Sequence, residues 1–249
     1  MKTRLEWNEM KNRIQNSVFL AAGAMFGSLP MFHYQFKNLS GSIFTIQPTA
    51  EQIYYLSVCQ SFMVFSLAFL CALVGFLYAD RLKLPGFGKH SDVMFLLPVG
   101  LVLGLAFTPV WYFAFDREIF LIIPEIYPAS MAWALASMMG VAISQEVIVR
   151  FGLLTIVLYF LDRWGFEGHP WPAIAIISTF GSFGAYLFMV KFNLAELLSS
   201  YQIAILLISA FFLQWGFCEV YLRKGLLAAF YIHFGLSVKY LIYAIMIRS

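Results

Sequence analysis

About twenty consecutive, mostly apolar residues make a helix long enough to cross a bilayer, and this chain repeats that pattern along most of its length. The runs fall at roughly 14–35, 53–78, 93–115, 128–160, 171–190, 201–222 and 225–247. Hydrocarbon offers no partner to backbone polar groups, so runs of this length are read as helices. The 249 residues are 61% hydrophobic and only 12% charged, against about 25% charged in soluble domains. The expectation is an all-α polytopic membrane protein of about seven transmembrane helices, with residues 1–249 forming a single domain. The first run is the weakest, because Pro30, His33 and Gln35 suggest a short or interfacial end. The fourth is long enough to break into two segments, and Gly152 is the place for it. Pro98, Pro109, Pro170 and Pro172 mark helix ends or kinks, since proline removes a backbone donor. No internal repeat or low-complexity segment interrupts the pattern.

The basic residues are unevenly placed. Lys2, Arg4, Lys11, Arg13, Arg81, Lys83, Lys89, Arg163, Arg223 and Lys224 fall on one side of the predicted spans, and only Lys37, Arg117, Lys191 and Arg248 on the other. The positive-inside rule puts the first group in the cytoplasm. This predicts an integral protein of the cell's inner (cytoplasmic) membrane with its N-terminus in the cytoplasm and its C-terminus outside. The acidic loop around Asp116, Glu118 and Glu125 then lies outside. Met1 to Arg13 is charged and mixed in sign, unlike a cleavable signal. A net charge of +3 is too small to argue for nucleic acid. Cys59, Cys71 and Cys218 all lie in apolar runs without CxxC or Cys/His ligand spacing, which gives neither a zinc ribbon nor a disulfide framework. Tyr54, Tyr55, Trp111, Tyr112, Trp164 and Trp171 lie near span ends and fit an interfacial aromatic belt. The phenylalanines within the spans face lipid by default.

The polar residues inside the spans carry the information about chemistry. An ionisable group at membrane depth costs a few kcal/mol or more and usually faces a polar cavity or a partner. Here the set is Gln145, Glu146, Arg150, Gln214, Glu219, His233, Ser237 and Lys239. Glu146 and Arg150 stand at i and i+4, the spacing for a pair on one helix face. Glu219 and Arg223 have the same spacing near a span end and anchor it at the interface, while the long stem of Lys239 can snorkel. His233 is the one histidine well inside a span; His33, His90 and His169 lie in or beside loops. The bland reading makes Glu146–Arg150 a packing lock, with His233 hydrogen-bonded to Gln145 or Ser237. In that reading Gly181, Ser182, Gly184 and Ala185 allow close helix contact.

Gln145-Glu146-xxx-Arg150-Phe151-Gly152 resembles the Glu-Glu-xxx-Arg motif of the CAAX protease and bacteriocin-processing (CPBP) family, which includes the type II CAAX prenyl endopeptidases. Trp171 to Ala185 resembles its second-motif helix, which reads Phe-xxx-His, and His233-xxx-Ser237 resembles its third motif, His-xxx-Asn or His-xxx-Asp. The resemblance covers about residues 128–245. It implies a CPBP-like bundle whose cavity is built from the spans carrying Glu146, Gly184 and His233. In that family the first glutamate and the second-motif histidine activate a water for peptide hydrolysis, and the third motif forms an oxyanion site. Glu146, Arg150 and His233 match the catalytic positions. Gln145 stands at the first glutamate, Gly184 at the second-motif histidine and Ser237 at the Asn or Asp. An amide is no general base, and glycine has no side chain to accept a proton. A zinc site is not expected either, since three protein ligands are the usual minimum and His233 with Glu146 supplies two. No cofactor is expected: there is one embedded histidine for an axial ligand and no inverted repeat. The implied function is a catalytically inactive relative, an accessory or structural subunit whose partners are the lipid bilayer and other integral membrane proteins. The rival is an active CAAX-type intramembrane endopeptidase using Glu146 and His233.

Overall fold

In the computed structural model, residues 2–38, 47–89, 93–122, 127–166, 168–191 and 194–248 are described; His90 and Glu125 lie outside them. Among the described residues the structure is helical throughout, with no strand. The helices are α1 (Lys2–Asn38), α2 (Ala50–Tyr78), α3 (Leu96–Trp111), α4 (Arg117–Ile122), α5 (Met131–Gln145), α6 (Thr155–Arg163), α7 (Trp171–Lys191), α8 (Ser200–Lys224), α9 (Leu226–Leu236) and α10 (Lys239–Arg248). Wider π-helical turns, Tyr112–Asp116 and Glu146–Leu154, join α3 to α4 and α5 to α6 without breaking either rod. Six helical units among the described residues are long and apolar enough to cross a membrane: 50–78, 96–121, 131–163, 171–190, 200–224 and 226–247. The protein is an integral membrane protein.

Two of the expected interruptions do not occur. Pro30 lies inside α1, which continues to Asn38. A 37-residue helix tolerates the lost donor because its flank is packed along α2 and α5. Gly152 does not split the fourth span either, and the helix runs unbroken from Met131 to Arg163. Its missing side chain is used for contact instead, because a Cβ there would lie 2.3 Å from Cys71 Cβ on α2.

Local chemistry sets the ends. Thr49 caps α2 and Ser199 caps α8 in reciprocal capping boxes with Gln52 and Gln202, and Ser130 caps α5. Gly225 ends α8 with φ +89°, a conformation that side chains disfavour. The connection after α2 then crosses this corner: Leu226 N–H donates to the Gly86 carbonyl at 3.0 Å and Leu227 N–H to that of Phe87 at 3.1 Å. These two bonds satisfy orphan donors at the start of α9.

The Glu146–Leu154 turn is touched by α1, α2, α7, α8 and α9, which puts it at the centre of the bundle. Two apolar clusters flank it. One gathers Phe151, Leu154, Ile174, Cys218 and Tyr221, and the other Trp111, Phe115, Tyr127, Phe217 and Tyr243. Basic residues collect at one end of the bundle: Arg13 pairs with Asp80 at 3.2 Å, Arg81 and Arg163 share the Tyr159 ring, and the 86–88 turn lies against Lys224.

Candidate functional site

Glu146 stands near the middle of the 33-residue helical unit Met131–Arg163. The π-helical turn that begins there changes the register of the helix, and Glu146 and Arg150 both point inward, 1% and 0% exposed. Such turns often mark functional positions. The expected pair forms: Arg150 Nη1 lies 3.3 Å from Glu146 Oε1, near enough for ion pairing but not aligned as a hydrogen bond. The same Oε1 is 2.7 Å from Nδ1 of His233 on α9. An ionised carboxylate only accepts, so in that state His233 donates through Nδ1–H. Arg150 Nη2 donates to the Gln214 amide oxygen on α8. Phe217, one turn further along α8, covers both partners of the carboxylate, with its ring stacked on His233 at 4.5 Å and 5.0 Å from the Arg150 guanidinium carbon. Three helices thus converge on one buried carboxylate.

The His233 ring therefore takes Glu146 as its partner, in place of the Gln145 or Ser237 side chain that the packing reading expects. Gln145 is half-buried one residue before the carboxylate. Ser237 Oγ turns back to donate to the His233 carbonyl at 2.9 Å, an ordinary helical back-bond. Gly184 departs furthest from expectation. It is exposed, and a Cβ built on it meets nothing within 4 Å. The span that carries it does reach the centre, but through Ser178, which is fully buried, and through Gly181, where a Cβ would lie 2.4 Å from Gln214 Cγ. Ser182 also makes the expected close contact, donating from Oγ to the Leu207 carbonyl at 2.9 Å.

The residues around Glu146 form a packed core. Glu146 Oε2, Arg150 Nε and Ser178 Oγ are buried without a hydrogen-bond partner among the described residues. A general base must reach its water within about 3 Å, and Oε1 is already engaged by two groups. Among the described residues no three His, Cys, Asp or Glu side chains gather as a metal site requires.

A second buried charge cluster lies in the neighbouring apolar core. Asp116, expected in an outer acidic loop, is 3% exposed in the π-helical turn after α3. Its carboxylate accepts from Tyr127 Oη at 2.6 Å, Tyr243 Oη at 2.7 Å and Lys239 Nζ at 3.2 Å. Lys239 is thus paired rather than snorkelling, and its ammonium lies 5.1 Å from the Trp111 ring centroid. Trp111, 8% exposed, belongs to this core and not to an interfacial belt, as does Tyr112. Tyr127 precedes α5, and burial first, then the Asp116 carboxylate, raises its phenol far above the ordinary tyrosine range. One sequence signal points to this cluster: Lys239 has no acid within a turn on its own helix, and an embedded cation needs one. Tyr54, Tyr55, Trp164 and Trp171 are exposed at helix ends as a belt requires, and Glu219–Arg223 forms a surface pair at 3.1 Å.

Comparison with family models, curated proteins and solved structures finds no match to this chain.

Proposed function

We propose that this protein is a non-catalytic relative of the CPBP endopeptidases, acting as an accessory or structural subunit that binds other integral membrane proteins. The observation that carries the reading is the state of Glu146: its Oε1 is held by both His233 and Arg150 inside a closed core. The two positions where the resemblance calls for proton acceptors hold Gln145 and the outward-facing Gly184. Losing a general base typically costs 10²–10⁴-fold in rate, and here two acceptors are missing. The collected basic end supports a cytoplasmic N-terminus in the inner membrane by the positive-inside rule.

The test has two parts. The chain isolated from its native membrane in mild detergent is expected to carry a stoichiometric integral membrane partner. Incubated with prenylated and leader-bearing peptides, the purified chain is expected to cleave no faster than its Glu146→Ala variant. Cleavage that the variant abolishes overturns the reading.

One distance favours a second reading. A carboxylate 2.7 Å from an imidazole is the arrangement from which general bases are built. An active endopeptidase would use Glu146 and His233, and the same assay decides between the two.

A further inference from the structure

Far from Glu146, the basic end of the bundle holds a cleft of about 160 Å³ where α6, the end of α8 and the connections after α2 and before α7 meet. Its walls are mostly apolar, with Leu82, Leu158, Leu161, Phe166 and Leu222 among them, and Asp162 and His169 add polar atoms. Beside the cleft, Arg81 and Arg163, each next in sequence to a lining residue, meet over one aromatic ring and make a cationic rim with it. Arg81 precedes Leu82, Arg163 follows Asp162, and their guanidinium carbons lie 5.2 and 5.6 Å from the centroid of the Tyr159 ring. Tyr159 is itself held by Tyr78, with ring centroids 4.4 Å apart.

Neither guanidinium is spent on a carboxylate among the described residues, although both are exposed. The neighbouring acid on one side, Asp80, is taken by Arg13 at 3.2 Å. Beside the rim stand Trp164 and Phe160, 72% and 50% exposed, at the end of a membrane-crossing helix. A cation on an aromatic face keeps its hydrogen-bond fork free while its position is fixed. A guanidinium fork matches the oxygens of a phosphate diester. A soluble anion would gain nothing from the apolar walls, and an uncharged lipid nothing from the rim.

We infer that this end of the molecule is a binding site for an anionic phospholipid, its phosphate on Arg81 and Arg163, its glycerol and the first carbons of one acyl chain in the leucine-lined cleft, and the rest of its chains in the bilayer. The Asp162 carboxylate within the cleft repels phosphate, so the headgroup is confined to the rim and the apolar part of the lipid turns inward. Basic clusters at this level of a membrane hold anionic lipid by about a fivefold gain for each charge.

The experiment counts lipids retained by the full-length chain in native mass spectrometry, from micelles doped with phosphatidylglycerol or phosphatidylcholine. The wild-type chain is expected to retain phosphatidylglycerol preferentially, and excess glycerol 3-phosphate is not expected to displace it. Arg81→Gln with Arg163→Gln should lose about fivefold in preference per charge, whereas Lys11→Gln, exposed on α1 at the same end and next to no residue of the cleft, should keep it. Leu158→Trp, which fills the cleft without changing charge, should also weaken retention. Equal retention of the two lipids by the wild-type chain overturns the inference whether or not any variant folds. An unchanged preference in the double arginine variant, or displacement by glycerol 3-phosphate, overturns it as well.

Discussion

Arg150 is a large cation with no exposed surface, and its cost is offset by Glu146, Gln214 and the Phe217 ring. Among the described residues, truncating it leaves Glu146 with His233 as its one polar partner. Arg150→Ala is therefore expected to cost about 3–5 kcal/mol, the usual penalty for stranding one member of a buried pair. A thermal melt in detergent measures this, and an unchanged midpoint would mean that Glu146 reaches water. Adding Glu146→Gln to Arg150→Met should recover part of the loss, since replacing both charges removes the stranded one. This pair was legible in the sequence because two opposite charges one turn apart in an apolar run have few alternatives. His233 was legible as an embedded group but its partner was not. It lies 87 residues from Glu146, and no local pattern states which of several nearby polar groups a distant helix will reach. Asp116 was misplaced for a related reason. An acid just past the apparent end of an apolar run looks like loop, and only the extra turn of helix after α3 carries it inward.

At the scale of elements, the apolar runs forecast the helices well, while the small and helix-breaking residues were ambiguous. Gly27 and Gly140 let α1 and α5 touch backbone to backbone: a Cβ on Gly140 would lie 2.3 Å from the Gly27 carbonyl oxygen. Gly184 looks the same in sequence and faces open space. Gly140→Leu should accordingly separate α1 from α5 and destabilise by about 1–3 kcal/mol or more. Gly184→Leu should stay within about 0.5 kcal/mol. Melting midpoints of the two variants side by side check the contrast, and equal losses would contradict it. Both π-helical turns coincide with a buried acid, Asp116 in one and Glu146 in the other. The sequence carries Pro109 shortly before the first and nothing comparable before the second, so helix continuity could be forecast but not the change in register. Pro98, Pro170 and Pro172 stand at helix starts and Pro109 just before the first π-helical turn, as expected, whereas Pro30 sits inside a helix that long side-by-side packing keeps intact.

For the molecule as a whole, two charge clusters in two apolar cores tie helices that are distant in sequence. One joins α8 and α9 to the centre, and the other joins the end of α3, the segment before α5 and α10. Under the proposed reading, installing the CPBP motif's acidic and imidazole groups by Gln145→Glu with Gly184→His is expected to yield no peptide cleavage above the parent chain. The new imidazole would project from the open face of α7, away from Glu146. Glu146-dependent turnover in that variant would show that α7 can rotate to present position 184. The overall class was plain from the apolar runs. The geometry of the centre was not, because membrane helices of similar composition can be rotated about their axes without changing the pattern along the chain.

The crossing of the 86–88 turn over the start of α9 has a consequence for biogenesis. The ribosome delivers that turn some 140 residues before the amides it will bind. The first donors of α9 therefore find their partners in the finished fold only by docking onto a segment threaded much earlier. Synthesis order thus becomes assembly order, and a nascent chain halted before Leu226 would keep the Gly86 and Phe87 carbonyls waiting for their donors.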